Sequence, residues 1–234
     1  MASERRKKTQ SGQEIMEFAL IVVLLVPTFL ASFIVGMNLI RSIQCNQMCR
    51  DLTDMYIHGA DFSTYAMQTM AQRLAQGLNL QIGGSFSGNS NSNVSNGGNG
   101  LVTVTQMMYV GTTSQPNCLA VGASNCTNAN SFVFTQQIVF GNGTLANSGT
   151  QGLGTPTGAT LSTAGIVQNP VTDSHAQLPT TSQAQMQSLW QTTANGQMPL
   201  EDGQVAYVVE TYFQSPDLGV SALSGNGVYA RYFF

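Results

Sequence analysis

The stretch that decides the fold lies near the N-terminus, where residues 18–40 read FALIVVLLVPTFLASFIVGMNLI. These residues carry no charged side chain, and a bilayer core needs about 20 apolar residues in a helix. The apolar core of a cleavable secretory signal is shorter, about 7–15 residues. The stretch therefore predicts a membrane-spanning helix, which we expect to bend at Pro27 because proline removes one backbone hydrogen bond.

The charges on the two sides of this span differ. Four of the eight Lys and Arg residues of the chain lie together at residues 5–8, before the span, and no comparable basic cluster follows it. Cytoplasmic flanks of membrane spans carry the excess of Lys and Arg. The pattern predicts a single-pass protein with residues 1–12 in the cytoplasm and residues 41–234 outside.

The composition restricts the class of protein. Only 8% of the residues are charged, against about 25% in an ordinary soluble domain. Ser, Thr, Asn, Gln and Gly must therefore supply the polar surface of the exported part. Nucleic-acid binding depends on a basic surface that neutralises phosphates, so no nucleic-acid partner is expected, and the composition also argues against a typical cytosolic enzyme.

A glutamate marks the edge of the apolar run. Glu17 directly precedes Phe18, and an ionisable group at the membrane edge indicates a function unless it is paired. If a peptidase cuts after Gly12, Gln13 gains a free α-amino group about 6 Å along the helix from Glu17. The amine of a neighbouring subunit could then pair with Glu17. The alternative is that Glu17 only extends toward the lipid headgroups.

A family resemblance rests on the basic leader, on Gly12-Gln13, on Glu17 and on Phe18-Ala19-Leu20. This N-terminus resembles type IV prepilins and, more narrowly, the TadE-like pseudopilins of Tad/Flp pilus systems, over roughly residues 10–43. The resemblance implies cleavage between Gly12 and Gln13 by a prepilin peptidase, with Glu17 as the assembly glutamate. It also implies inner-membrane lipid and other pilin or pseudopilin subunits as partners, and a place in the pilus.

Two features depart from this family pattern. Pro27 follows the glutamate later than in most TadE-like segments, and the exported part is much larger than that of a major Flp pilin. The second feature favours a minor pseudopilin in pilus assembly over a bulk filament subunit. The alternative function is a single-pass membrane-anchored surface protein that binds a glycan or protein through its polar loops without entering a filament.

The exported part predicts an α+β fold with a small, mainly antiparallel sheet and long polar loops, which is pilin-like if the resemblance holds. We expect a leader at 1–12, a transmembrane and stalk helix at 13–58, an amphipathic helix at 59–80, a Gly/Ser/Asn-rich linker at 81–100 and a β-rich domain at 101–234. Alternating apolar and polar residues predict four strands, at Leu101–Val110, Phe132–Phe140, Gln204–Phe213 and Val228–Phe234. A short helix is expected around Ser182–Gln191.

The amphipathic pattern predicts how the second helix packs. If helical geometry continues from Asp51 to Leu74, then Leu52 and Met70 share an apolar face, while Gln68 lies on the polar face. The apolar face is expected to cover the chain's own sheet, and the alternative is that it packs against a partner subunit. Asp or Ser at residues 61 and 63 offers the N-cap, and Gly77 the end.

Four cysteines remain to be placed. Cys118 and Cys126 enclose a short polar loop outside the cytoplasm, where a disulfide can form. Cys45 and Cys49 are four apart on the stalk helix, a spacing that does not favour a direct bridge. They are either small buried packing residues or partners of cysteines elsewhere. Their spacings are not those of a usual zinc knuckle, so no metal and no cofactor is expected.

The search for catalytic groups yields one weak candidate. His175 lies beside Asp173 and Ser174, which would suit an envelope hydrolase only if nucleophile, base and orienting group met in space. A surface turn is the preferred interpretation. We therefore expect no catalytic residue, no enzyme activity and no small-molecule substrate.

Overall fold

The computed structural model describes residues 2–78, 80–83, 86, 88–147, 152–191, 199–214 and 227–234. For residues 2–13, 146 and 147 it describes the backbone alone. The fold is α+β, with a long apolar N-terminal helix and a small mixed sheet of five strands in this described part of the chain.

Helix α1 spans Ala2–Ile57 without interruption, 56 residues in all, or about 84 Å at 1.5 Å per residue. Pro27 lies inside it. The hydroxyl of Thr28, the next residue, donates to the carbonyls of Leu24 and Leu25, at 3.0 and 2.9 Å. The helix ends before Gly59, whose φ of +89° is a backbone conformation that favours glycine.

The C-terminal part of α1 is built into the domain. Cys45, Met48, Cys49, Leu52 and Tyr56 are all buried, and their spacing of three and four residues places them on one face of the helix. This face packs against the sheet, where it forms one of two apolar clusters. The stalk part of the predicted helix is therefore a core element of the domain.

The sheet has the order β1-β3-β2-β4-β5. Its strands are β1 (Ser92–Ser95), β2 (Gly100–Val110), β3 (Ser131–Asn142), β4 (Val205–Phe213) and β5 (Val228–Phe233). β1 pairs in parallel with β3, and the other three pairings are antiparallel. The four predicted strands are confirmed to within two residues at each end.

β1 was not expected. It lies inside the stretch 81–100, which the sequence predicted to be a flexible linker, and Val94 pairs there with Gly141 of β3. The composition Ser-Asn-Val-Ser is poor in strand-forming residues. The segment is a strand because its backbone pairs with β3. This pairing cannot be predicted from the sequence of the segment itself.

Helix α2 spans Tyr65–Gly77, and its N-cap is Thr64, whose hydroxyl accepts a hydrogen bond from the backbone N–H of Met67. The predicted packing face of this helix is wrong. Gln68 is fully buried, whereas Met70 is 55% exposed. The turn between α1 and α2 breaks the helical geometry, so the apolar pattern of α1 cannot be extended into α2.

The second face of the sheet is covered by residues 152–190, which include α4 (Thr180–Trp190). Met186 of α4, Leu153 and Leu178 are buried against Phe132 and Phe134 of β3. The sheet therefore lies between two layers. The sequence predicted the helical layer and the position of α4, but it did not predict that the polar loop region would form the second layer.

The direction of α1 defines the two ends of the domain. Cys45 contacts the hydroxyl of Thr211 at 3.2 Å, and Cys49 donates to the carbonyl of Val209 at 3.0 Å. Farther along α1, the ring of Tyr56 lies 5.2 Å from that of Tyr207. α1 therefore runs antiparallel to β4. We call the end of the sheet near Phe213 the proximal end, because it faces the apolar half of α1, and the opposite end the distal end.

Candidate functional site

The N-terminal half of α1 presents an uncovered apolar surface. All side chains of residues 14–30 are exposed, with Leu20, Val23 and Leu24 at 71, 74 and 67%. Within the described residues one helix, α1, is long enough and apolar enough to cross a membrane. A surface of this size is not left to water in a stable protein, so lipid or other chains must cover it.

The predicted processing and assembly residues lie at the start of this surface. The backbone from Gly12 and Gln13 through Glu17 is part of α1, and Glu17 is exposed next to Phe18, Ala19 and Leu20. The side chain of Gln13 lies outside the described residues. The four residues from Gln13 to Glu17 span about 6 Å along the helix. The carboxylate thus stands next to the exposed apolar side chains of Phe18, Ala19 and Leu20.

A buried ion pair that the sequence analysis missed lies on the other face of the sheet. Glu210 of β4 is 6% exposed, and its Oε1 accepts a hydrogen bond from Nε of Arg231 at 2.8 Å. Nη2 of Arg231 lies 2.6 Å from the same oxygen. The hydroxyl of Tyr229 donates to Oε1 as well. Neighbouring strands β4 and β5 bring these three side chains together, because Glu210 and Arg231 are cross-strand partners.

The same carboxylate binds a loop. Both oxygens of Glu210 accept the backbone N–H of Leu153 at 3.1 Å. Burial, together with the negative charge of Glu210, raises the pKa of Tyr229, so this phenol keeps its proton and remains a donor. The ion pair therefore connects β4, β5 and the loop layer through one buried charge.

A pocket of about 240 Å³ opens beside the ion pair. It is lined by Leu101, Thr103, Val139, Leu145, Gly152, Gly154, Thr155, Glu210, Thr211, Tyr212 and Tyr229. Its wall is mostly apolar, and the charge of Glu210 is already balanced by Arg231. Among the described residues, no cysteine, serine or histidine lines this pocket. One signal in the sequence could have indicated this ion pair. Glu210 is the single charged residue in the mostly apolar strand VAYVVETYF.

Cys118 and Cys126 form the expected disulfide, with their Cα atoms 5.1 Å apart. The bridge lies at the distal end of the domain: Cys118 belongs to the short helix α3 (Pro116–Val121), and Cys126 follows that helix. Asp202 holds the start of this loop. Although burial opposes it, hydrogen bonds from the backbone of Asn117 and Gly111 lower the pKa of Asp202. Asp202 therefore fixes the start of the disulfide loop, and the bridge ties Cys126 back to it.

Cys45 and Cys49 are free thiols buried between α1 and β4. Burial raises the pKa of Cys45 to about 11 and that of Cys49 to about 12. Both thiols form hydrogen bonds with residues of β4, and no disulfide joins them. The sequence left two alternatives open for these cysteines. In the structure Cys45 and Cys49 are small buried packing residues and are not paired with other cysteines.

The remaining candidates do not form a reactive centre. Nδ1 of His175 lies 3.1 Å from Asp173 in an exposed turn, and among the described residues no serine or cysteine is hydrogen-bonded to this ring. The described residues also contain no cluster of three or more His, Cys, Asp or Glu that could hold a metal ion.

Comparison of the chain with family models, with curated proteins and with solved structures gives no match. The functional argument therefore rests on the residues and the geometry of this chain. These define an α+β domain carried by one helix that is long and apolar enough to cross a membrane.

Proposed function

We propose that this protein is a TadE-like minor pseudopilin that takes part in assembling a Tad/Flp-type pilus. The observation that carries the proposal is the division of α1 into two halves. One half starts at Glu17 and exposes its apolar side chains, and the other is part of the core of the domain. A helix built in this way can be stored in the inner membrane and later exchange lipid for the helices of neighbouring subunits.

The physical need for Glu17 follows from this exchange. Lipid tails are as apolar as leucine, so moving the helix from lipid into a helical bundle gains little hydrophobic free energy. Close packing and polar pairs must then determine which helices associate and in what register. In the proposed mechanism, a prepilin peptidase cuts between Gly12 and Gln13, and the new amine of one subunit pairs with Glu17 of the next.

The proposed topology agrees with two independent features. The basic residues precede the span, which favours a cytoplasmic N-terminus. The Cys118–Cys126 bridge lies in the domain after the span, and disulfides persist in oxidising compartments outside the cytoplasm. The domain is then presented outside the membrane, and no nucleic acid, cofactor or enzymatic reaction enters the proposal.

The test is made in cells that express a prepilin peptidase and the other pilus subunits. N-terminal sequencing should give a chain that starts at Gln13, and Gly12→Leu should keep the leader. Glu17→Ala and Glu17→Gln should leave abundance and cleavage normal but abolish co-isolation with the other subunits. Glu14→Gln is the matched control, because it removes a neighbouring exposed carboxylate and should leave co-isolation intact.

Two results would contradict the proposal. An uncut wild-type N-terminus would remove the processing step. Normal co-isolation and piliation in both Glu17 variants, with the protein present and cleaved, would favour the single-pass anchored surface protein instead.

A further inference from the structure

The second face of the sheet is covered unevenly by the loop layer. The apolar cluster under this layer takes Met107 from β2 and Ala206 and Val208 from β4, which lie toward the distal end of the strands. At the proximal end of the same face, Leu101 and the nearby Leu145 are buried but belong to neither of the two apolar clusters of described residues. The pocket beside the ion pair lies at this proximal part of the face.

The pocket is much larger than a site for a single water molecule. A buried water needs about 10–15 Å³, whereas this pocket has a volume of about 240 Å³. An apolar cavity of about 150 Å³ in another protein binds benzene, and sites for drug-sized molecules begin near about 300 Å³. The space therefore suits a molecule of one ring or two fused rings.

The walls of the pocket favour an aromatic ligand. Leu101, Val139 and Leu145 supply aliphatic side chains, and Tyr212 and Tyr229 supply two rings. The two tyrosines are directly opposite each other on β4 and β5, so their side chains extend from the same face of the sheet. Edge and offset contacts between aromatic rings stabilise a complex beyond the burial of their area. A flat ring in the pocket can make such contacts with these tyrosines.

One oxygen of the buried carboxylate of Glu210 can accept a further hydrogen bond. Oε1 accepts from Arg231 and from the hydroxyl of Tyr229. Among the described residues, the one donor to Oε2 is the backbone N–H of Leu153, which is shared with Oε1, and a carboxylate oxygen can accept about two hydrogen bonds. Gly152 lines the pocket, and a Cβ added to it would lie 4.0 Å from Oε2. Oε2 therefore lies beside the pocket.

The charge of the site favours a neutral ligand. The carboxylate of Glu210 is already paired with the guanidinium of Arg231, whose Nη2 lies 2.6 Å from Oε1. An anion would be repelled by the carboxylate. A cation would add a positive charge to a neutral pair and would lose its own hydration in doing so. An uncharged O–H or N–H group can donate to Oε2 without changing this balance of charge.

From size, walls and charge, we propose that this pocket binds a small neutral aromatic molecule with one hydrogen-bond donor, of the indole or phenol class. The ring lies among the aliphatic side chains and the two tyrosines, and its N–H or O–H donates to Oε2 of Glu210. The molecule is bound and not converted, because no described cysteine, serine or histidine lines the pocket. This inference concerns the exported domain and depends neither on leader cleavage nor on pilus assembly.

The test uses indole and the full chain in detergent micelles, followed by NMR of the leucine and valine methyl groups. Indole should shift the methyl signals of Leu101, Val139 and Leu145 saturably, with a Kd on the order of 1 mM or below. The methyl groups of Leu119 and Val94 are exposed outside the pocket, so they report indole that only enters the micelles and should show no saturable shift. Absence of a saturable shift at the three pocket residues would overturn the proposal.

A second ligand tests the hydrogen bond to Glu210. Indene has the fused-ring shape of indole but carries a CH₂ group in place of the N–H. It should bind at least about tenfold more weakly, because it cannot donate to Oε2 and hydrogen bonds to charged groups are the stronger ones. Equal affinities of indole and indene would overturn the assigned ligand class.

Two glycine variants test the location of the site. Gly152→Leu adds a side chain to the wall of the pocket, and its Cβ would meet no described atom closer than 3.7 Å, so the fold can accept it. Gly97→Leu is the matched control, because its Cβ would meet nothing within 4 Å and it lies outside the pocket. The affinity for indole should fall severalfold in the first variant and stay unchanged in the second.

The methyl spectra of the variants without ligand report whether each domain is folded. Equal affinity for indole in the two folded variants would overturn the location of the site. If Gly152→Leu does not fold, the comparison of indole with indene on the wild-type chain decides the proposal.

Discussion

Removing Arg231 from the buried ion pair is the most direct test of the domain structure. Arg231→Met keeps much of the packing volume but leaves the carboxylate of Glu210, 6% exposed, without its positive partner. The two contacts of 2.6 and 2.8 Å are lost, and among the described residues the donors Tyr229 and Leu153 remain. Removing one member of a buried pair costs about 3–5 kcal/mol.

The reporter for this test is Trp190, the one tryptophan of the chain. Its ring lies 5.4 Å from that of Phe233 and 6.2 Å from that of Phe132, so its fluorescence follows the unfolding of the domain. Urea titration of the full chain in detergent micelles should show a fall in the midpoint of at least about 1 M, for a dependence of about 1–3 kcal/mol per molar urea.

The double variant Glu210→Gln/Arg231→Met decides whether the buried charge is responsible. Glutamine keeps an oxygen for the donors of Tyr229 and Leu153 but carries no charge, so we expect it to recover at least half of the lost free energy of unfolding. The reasoning fails if the single and double variants are equally unstable. It also fails if Arg231→Met lowers the free energy of unfolding by less than about 1 kcal/mol.

Three further predictions concern the cysteines and a buried amide. Non-reducing peptide mapping should show the Cys118–Cys126 bridge, and replacing both residues by serine should cost about 2.5 kcal/mol of unfolding free energy in urea titration, since the closed loop is short; free thiols in the wild type would contradict this. The pKa values of the Cys45 and Cys49 thiols are raised in the folded state from about 9 to about 11 and 12. Their contribution to stability is therefore complete below about pH 9 and is lost as the pH rises toward 12; replacing both by alanine should flatten the measured dependence of unfolding on pH in this range, and an unchanged slope would count against it. Gln68→Leu should destabilise the domain by about 1–3 kcal/mol in thermal melts, because the buried amide donates to the carbonyls of Phe62 and Ser90, whereas Gln76→Leu on the exposed face of α2 should change stability by less than about 0.5 kcal/mol.

The elements that the sequence predicted correctly are those whose signal is local. The apolar stretch 18–40 and the four alternating strands each carry their pattern within about ten to twenty neighbouring residues. The bridge between Cys118 and Cys126 closes a short loop, so its partners could be named without knowing the fold.

The features that were missed depend on contacts between distant parts of the chain. Strand β1 exists because β3 offers it a parallel partner. The buried face of α2 depends on the turn after α1, which rotates Gln68 toward the core. Glu210 meets Arg231 through strand register and meets Leu153 through a loop 57 residues away, and no spacing in the sequence announces either contact.

Because α1 is uninterrupted, the apolar segment and the part of the helix that is packed into the domain belong to one continuous helix. With about 3.6 residues per turn, each residue added or removed between Ile40 and Cys45 would rotate the domain about the helix axis by roughly 100° and move it along that axis by about 1.5 Å. The number of residues in this short segment thus sets the direction in which the sheet faces around the helix axis. A rotation of the apolar part of α1 about that axis would rotate the domain with it.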